Sequence, residues 1–460
     1  MSKITSMTVS EFIHSKSGYR GYWEYSNKNG KNSIDAREQL PEVVRKIIFA
    51  AYKVGIKEYD EHKTAELKGE VAKYHPHGDS SIEASIKGVA TAYKSQVAVR
   101  ILEGIGHFGS APGDEGAAAR YTSVSGTPLL TAIYRDIPFV PVSPDDTGLE
   151  QPDYISSPLP FALINGHSPI GTGKSCYIGE RNAREIVEWI DELRMNGWDR
   201  SISEPEPTCV TGCKTWYEES NGYIYYEAVV HEGVDMNDLN KKGRYDVITN
   251  LPPKSTPDSV MPKLMSKLPT RATKQVIDGS GRGRPTWIVV PHGYLEPEDY
   301  NKYSLRNARK EQIYFWDHLQ DTMVEGTLVD IAREWFEDRS QVVTARLMKM
   351  VADAEAAIHR IDLIKEFAEK KMIEWKSEDV VNHFVHLFPE TGEEDASLVL
   401  SQAARTFLPE NLAKNEIVRK RQEDAVKELR YKIVTIGDVI IQEAYDVIEA
   451  QEKFFDEIRG

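Results

Sequence analysis

Two seams of apolar residues in the last third of the chain set the narrowest limits on its fold. From about residue 343 to 375, Leu347, Met350, Ala354, Ala357, Ile361, Ile364 and Ala368 recur at alternating three- and four-residue spacing. Such a repeat winds one helix against another as a coiled coil. A second seam runs through Leu429, Ile433, Ile436, Ile440, Ala444 and Val447. Each helix would span ~50 Å at 1.5 Å per residue. Between them, at about 377–414, Phe384, Leu387, Phe388, Leu398, Leu400 and Phe407 can fill a compact knob. The pattern predicts an antiparallel stalk with a small helical knob at its far end. A helical bundle folded back on the body has the same periodicity and stays open.

The rest of the chain reads as mixed α/β. Its 460 residues suggest roughly three domains. Residues 1–30 are polar and rich in Ser, Lys, Tyr and Gly, which suits an arm. From Asp35 the pattern turns helical. Val43, Val44, Ile47, Ile48, Ala51 and Val54 make one apolar stripe, with Arg45 and Lys46 on the side away from most of it. A second helix is predicted over 64–73, followed by Tyr74-His75-Pro76-His77-Gly78-Asp79-Ser80-Ser81. Pro76 disfavours helical geometry at His75. Asp79 or Ser80 can cap the next helix, with Glu83 placed for a capping box. That helix start suits a phosphate. Strands are predicted at 223–230, 245–251 and 286–290.

Chemistry concentrates in Gly116-Ala117-Ala118-Ala119-Arg120-Tyr121-Thr122. A free tyrosine hydroxyl is a poor nucleophile because its pKa is about 10. A guanidinium beside it favours the phenolate and offers a planar fork to a phosphate oxygen. The alanines leave room for something bulky. Arg-Tyr pairs are also common as plain surface structure. The loop Gly104-Ile105-Gly106-His107-Phe108-Gly109-Ser110 precedes it and is a weak phosphate cradle.

Other motifs exclude more than they assert. Gly171-Thr172-Gly173-Lys174-Ser175 resembles the tail of a P-loop, but Ser168 stands where that motif needs glycine. Cys209 and Cys213 form a C-x3-C pair with no second pair, and His75 and His77 lack a nearby third ligand, so neither makes a convincing metal site. Three cysteines in all, no apolar signal core and no run of ~18 apolar residues point to a reducing cytoplasm and no membrane. The net charge of -15 excludes a basic coat, though not a local basic patch on DNA. Arg282-Gly283-Arg284 is one of the few short basic stretches.

The order of these motifs, from about Asp35 to the C-terminus, resembles the breakage-reunion part of type IIA DNA topoisomerases. The stretches Lys73–Ser80 and Ala117–Thr122 are similar to the A chain of bacterial gyrase. Asn165–Gly173 and Arg45-Lys46 look more like the eukaryotic enzymes. The resemblance implies an arm at 1–30, a winged-helix (helix-turn-helix) DNA-binding domain at 31–160, and a mixed α/β tower at 161–340. A coiled coil with an exit-gate knob would fill 341–460, a multidomain α+β protein overall. Tyr121 matches the nucleophile that forms a 5′-phosphotyrosyl link to DNA, and Arg120 its transition-state partner. His77 matches a histidine near the scissile phosphate. Arg45, Lys46, Lys73 and His75 match DNA-backbone contacts, and Ser80 a drug-contact position. Ile170 matches the isoleucine wedged between base pairs.

Three departures touch single contacts. Gln39-Leu40-Pro41-Glu42 stands for Gly-Leu-Lys-Pro, Val44 for a basic or polar residue, and His107 for an asparagine. The chain has no recognisable Asp-x-Asp metal cluster and no ATPase motif. The resemblance therefore assigns Mg²⁺ to a partner's Toprim domain and ATP to a partner subunit. It also implies a homodimer through the knob, and relaxation and decatenation of double-stranded DNA rather than supercoiling, since the chain stops after the second seam. A non-catalytic DNA-bending or chromosome-organising protein is the rival reading.

Overall fold

The computed structural model describes residue 8 and residues 34–76, 78–91, 99–109, 116–144, 148–168, 176–235, 243–280, 286–317 and 322–459. His77, Ile170, the P-loop-like stretch and Arg282-Gly283-Arg284 lie outside them. The chain is mixed α/β and about half helical, with several small sheets. It divides into two compact units, residues 1–339 with 440–460, and residues 340–439. The segment expected as one domain at 341–460 is thus shared between them.

The first unit contains three helices, Glu42–Val54, Thr64–Tyr74 and Asp79–Ala90, and a three-stranded antiparallel sheet. Strand Ser123–Gly126 lies between His62–Lys63 and Leu102–Ile105. The first helix begins at Glu42 rather than near Asp35, because Ile34–Asp35 is a short strand parallel to Ile313–Asp317. Gly55 ends it at φ 86°, donating its N–H to Ala51 and Tyr52. This is a left-handed closure that glycine makes without a Cβ clash. The helix is also buried on nearly every side from Val44 to Ala51. A single stripe presumed a solvent face that this helix lacks.

Gln39 has φ 59°, a left-handed conformation that a side chain adopts at a cost. Its amide offsets part of that cost. Oε1 accepts the Ala162 N–H at 3.1 Å, and Nε2 donates to the Ala36 carbonyl at 3.2 Å. Deeper in the same unit Arg339 is fully buried and pairs with Asp136 at 2.9 Å.

Farther along, the strand predicted at 223–230 is broken at Ala228. Tyr223–Glu227 joins a sheet with Lys214–Glu218 and Arg306–Lys310, whereas Val229–Asp235 pairs with Arg244–Thr249 in another. Ala228 is buried and donates to Leu305 at 2.7 Å, which turns the chain from one sheet to the next. The second sheet, completed by Ile288–Pro291 and Ile277–Asp278, shares its core with Val260 and Leu264 of the helix Pro257–Lys267.

Residues 340–439 carry most of the helix Leu328–Glu369 and all of Pro409–Val434. Ion pairs join Glu355 to Arg430, Asp362 to Arg419 and Lys365 to Glu416. As one number rises the other falls, so the two helices run antiparallel. Leu347, Ala354, Ile361 and Ile364 are buried as the seam requires. Met350 is not; it is 47% exposed, and its neighbour Val351 takes the inward position. The second seam is interrupted at Thr435, where Pro409–Val434 ends before Ile436–Arg459 begins. Leu429 belongs to this unit, while Ile440, Ala444 and Val447 are buried in the first.

The helices Ser377–Leu387 and Gly392–Leu400 form the compact segment. Val380, Phe384, Ala396 and Val399 pack there with Leu363, Phe367 and Met372. Leu387 and Leu400, expected inside, are 44% and 40% exposed.

Candidate active site

The N-terminus of the helix Thr64–Tyr74 fixes the loop that bears Tyr121. The first N–H groups of any helix lack intrahelical acceptors. Here the Thr64 N–H donates to the Thr122 carbonyl at 3.1 Å, and the Ala65 N–H donates to the Ala119 carbonyl at 3.2 Å. The Thr122 hydroxyl, fully buried, donates to the Thr64 hydroxyl at 2.9 Å. The Tyr121 N–H closes a turn on the Ala118 carbonyl at 2.8 Å. Both flanks of Tyr121 are therefore tied down while its side chain is 66% exposed.

The glycine-rich loop supports this turn. The His107 carbonyl accepts the Ala117 N–H at 2.7 Å. A Cβ on Gly116 would lie 2.5 Å from the Phe108 carbonyl carbon, so only glycine permits that approach. Ala119 is buried, so this alanine packs the turn instead of leaving space.

The Arg120 guanidinium lies over the Tyr121 ring, 4.5 Å from its centroid. Stacking of this kind is a cation–π contact. It keeps a permanent charge within reach of any anion that meets the phenol. Other tyrosines are placed differently. Burial pushes the hydroxyls of Tyr177 and Tyr300 up to about 12. Tyr59 is exposed, but its hydroxyl donates to Glu457 at 2.7 Å.

The helix Asp79–Ala90 is capped one or two residues earlier than the expected Asp79 or Ser80. Gly78 is the N-cap, and no side chain caps the end. Glu83 reaches Lys87 at 2.9 Å and Lys68 at 3.5 Å instead of closing a capping box. Ser80 is exposed in the first turn. The open end stays suited to a phosphate oxygen.

The expected backbone contacts separate into two groups. Lys73 is exposed, though paired with Glu70 at 2.6 Å. Arg45 and Lys46 are buried, contrary to their expected outward position. Arg45 pairs with Glu38 at 3.3 Å and donates to the Asp153 carbonyl. Lys46 pairs with Glu42 at 2.9 Å. The reason is that a helix packed on all sides must neutralise its cations internally. Burial pushes the Glu38 carboxyl up to about 8, against the pull of Arg45. His75 is also buried.

Two cations escaped the sequence reading. Lys63 is opposite Ser123 in the sheet and donates to its hydroxyl at 3.1 Å. Lys87 donates to the Gly116 carbonyl at 3.4 Å, joining the helix Asp79–Ala90 to the start of the tyrosine loop. Strand pairing makes the first a neighbour of Tyr121 across some sixty residues of sequence, and no local signal marks it. Among the described residues, no group of three or more His, Cys, Asp or Glu could hold a metal ion.

The site thus comprises an exposed phenol with a guanidinium stacked on it, carried on a support of three helices and a three-stranded sheet. The family described as the A chain of DNA gyrase/topoisomerase IV matches residues 35–444. The chain belongs to that family. It is 36% identical over 174 residues to the DNA gyrase A chain of Helicobacter pylori, covering 36% of this chain and 21% of the relative. It is 31% identical over 359 residues to the DNA topoisomerase 4 A chain of Staphylococcus epidermidis, covering 71% and 43%. The chain thus spans less than half the length of these relatives. No helix among the described residues is long and apolar enough to cross a membrane.

Proposed function

We propose that this chain is the DNA-cleaving and rejoining subunit of an ATP-dependent type II topoisomerase. The observation that carries the reading is the exposed Tyr121 with Arg120 stacked on it, held in a chain of the gyrase/topoisomerase IV A family. Tyr121 attacks a DNA phosphorus, its oxygen forms the new ester, and the 3′ oxygen leaves. The bond energy is conserved in the 5′-phosphotyrosyl link, so resealing needs no fuel. Arg120 meets the charge that develops on the phosphate, and His77 acts beside it. A second duplex passes through the double-strand break, which relaxes and decatenates DNA.

Residues 31–160 are assigned as the winged-helix domain, 161–340 as the tower, and 341–460 as coiled coil and exit gate, with a homodimer contact at about 377–414. Lys73, Ser80 and the intercalating Ile170 contact DNA directly. Arg45, Lys46 and His75 do so only if DNA draws them from their buried positions. A partner with a Toprim domain holds Mg²⁺, and an ATPase partner binds ATP, all in a cytoplasm. The mixture of gyrase-like and eukaryote-like motifs favours the medium subunit of a T-even-type bacteriophage enzyme.

Detergent trapping tests the function. With partner subunits and Mg²⁺, the wild type leaves protein covalently on DNA 5′ ends, and Tyr121→Phe leaves none. Adducts formed by the Phe variant would overturn the assignment; DNA bending without any adduct by the wild type would favour the non-catalytic alternative.

A further inference from the structure

The first unit carries two thiols for which the cleavage of DNA has no use. Cys209 and Cys213 flank a turn in which the Gly212 N–H donates to the Cys209 carbonyl at 2.7 Å. Gly212 has φ 72°, and a Cβ there would lie 2.9 Å from Asn250 Nδ2. Both facts favour glycine. Asn250 Nδ2 donates to the Thr211 carbonyl at 2.6 Å, which pins the turn.

The turn brings the two sulfurs together. Cys213 belongs to a buried cluster with Ile224 and Tyr226, and Cys209 packs against it. The Cys209 thiol hydrogen-bonds to Cys213. That donation pulls the Cys213 thiol below its usual range, against the push of burial. The same bond pushes the Cys209 thiol up, so the remaining proton stays on Cys209. Both thiols are free of any disulfide.

Access is from the Cys209 side. Cys209 is half-buried and lines a cavity of about 520 Å³. Cys176 offers a contrast within the same chain. It is 2% exposed, donates to the Tyr314 carbonyl at 3.7 Å, and burial pushes its thiol up to about 11.

We propose that Cys209 and Cys213 form an oxidation site, which a hydroperoxide converts to an intramolecular disulfide. The thiolate is the reactive form of a cysteine. The Cys213 sulfur bonds to one peroxide oxygen as the O–O bond breaks, and the other oxygen leaves as water. The sulfur of Cys209 then bonds to that of Cys213, and the oxygen on Cys213 leaves with the Cys209 proton as a second water. Two thiols are oxidised and one hydrogen peroxide is reduced. In a reducing compartment such a disulfide is transient.

Hydrogen peroxide is the probe, applied to the full-length chain before alkylation and trypsin. Arg200 and Lys214 bound one tryptic peptide that holds both cysteines and not Cys176. That peptide is expected to lose two hydrogen atoms and to resist alkylation until dithiothreitol is added, while Cys176 stays alkylated throughout. The reaction should be faster in the native chain than in urea. In Cys209→Ser, which keeps a hydroxyl donor beside Cys213, dimedone should label a sulfenic acid on Cys213. Cys213→Ser should label more slowly, at Cys209. A peptide that keeps both thiols while Cys176 is oxidised would overturn the proposal. So would equal rates in the native and urea-unfolded chain, which would make the pair no more than two cysteines close in sequence, or faster labelling in Cys213→Ser.

Discussion

Between residues 340 and 439 side chains do the holding: an apolar seam through Leu347, Val351, Ala354 and Ile361, flanked by Asp362–Arg419 and Glu355–Arg430. Around Tyr121 the backbone does it, with Thr64 and Ala65 N–H groups on the Thr122 and Ala119 carbonyls. The first arrangement tolerates change at its rim and resists it at its centre. The second leaves Tyr121 itself exposed, and its precision comes from a helix end whose first donors lack intrahelical acceptors. A region that must present one side chain to a ligand is better fixed through its main chain, because the side chain stays available.

The largest effect belongs to the centre of the helical segment. Phe384 is fully buried among Val380, Ala396 and Val399. Phe384→Ala should cost about 3–5 kcal/mol in urea unfolding of that unit. Amide exchange at Thr64 and Ala65 should stay unchanged, and an equal rise there would break the contrast between the two regions. Next comes Thr122→Val, which leaves the buried Thr64 hydroxyl without its donor. The expected loss is about 1–3 kcal/mol, seen as faster exchange at the Thr64 and Ala65 amides; unchanged exchange would show that the hydroxyl pair does not hold the turn. The smallest change is Arg419→Ala. Its pair with Asp362 is 2.7 Å long but partly open to solvent, where water screens the attraction, so unfolding should shift far less than in Phe384→Ala. A loss comparable to that of Phe384→Ala would show that ion pairs, not the seam, hold the helices.

Legibility in the sequence followed the same division. The seam was readable because period and burial coincide at Leu347, Ala354 and Ile361. It misled at Met350, where Val351 offers an equivalent apolar side chain one residue on. It misled again past Thr435, where one periodicity serves two compact units. The two helices around Pro76 were readable from that proline and the polar run behind it, although Gly78 rather than Asp79 or Ser80 is the N-cap of the second. Arg45 and Lys46 were misplaced because a helical wheel assumes a solvent face. The residues that fix Tyr121 were hidden, since backbone donors and strand neighbours such as Lys63 leave no mark at the positions they serve. Arg120 and Tyr121 stood out only because adjacency in sequence is adjacency in space.

Whether one exposed phenol carries the DNA can be read directly. Complexes trapped with partner subunits and Mg²⁺, on DNA labelled with radioactive phosphorus at the cleaved linkage, can be digested and the labelled peptide sequenced. The label is expected on Tyr121, within the peptide that holds Arg120. A label on Tyr59, on the exposed Tyr431 or on any other residue would contradict the assignment of Tyr121 as the nucleophile.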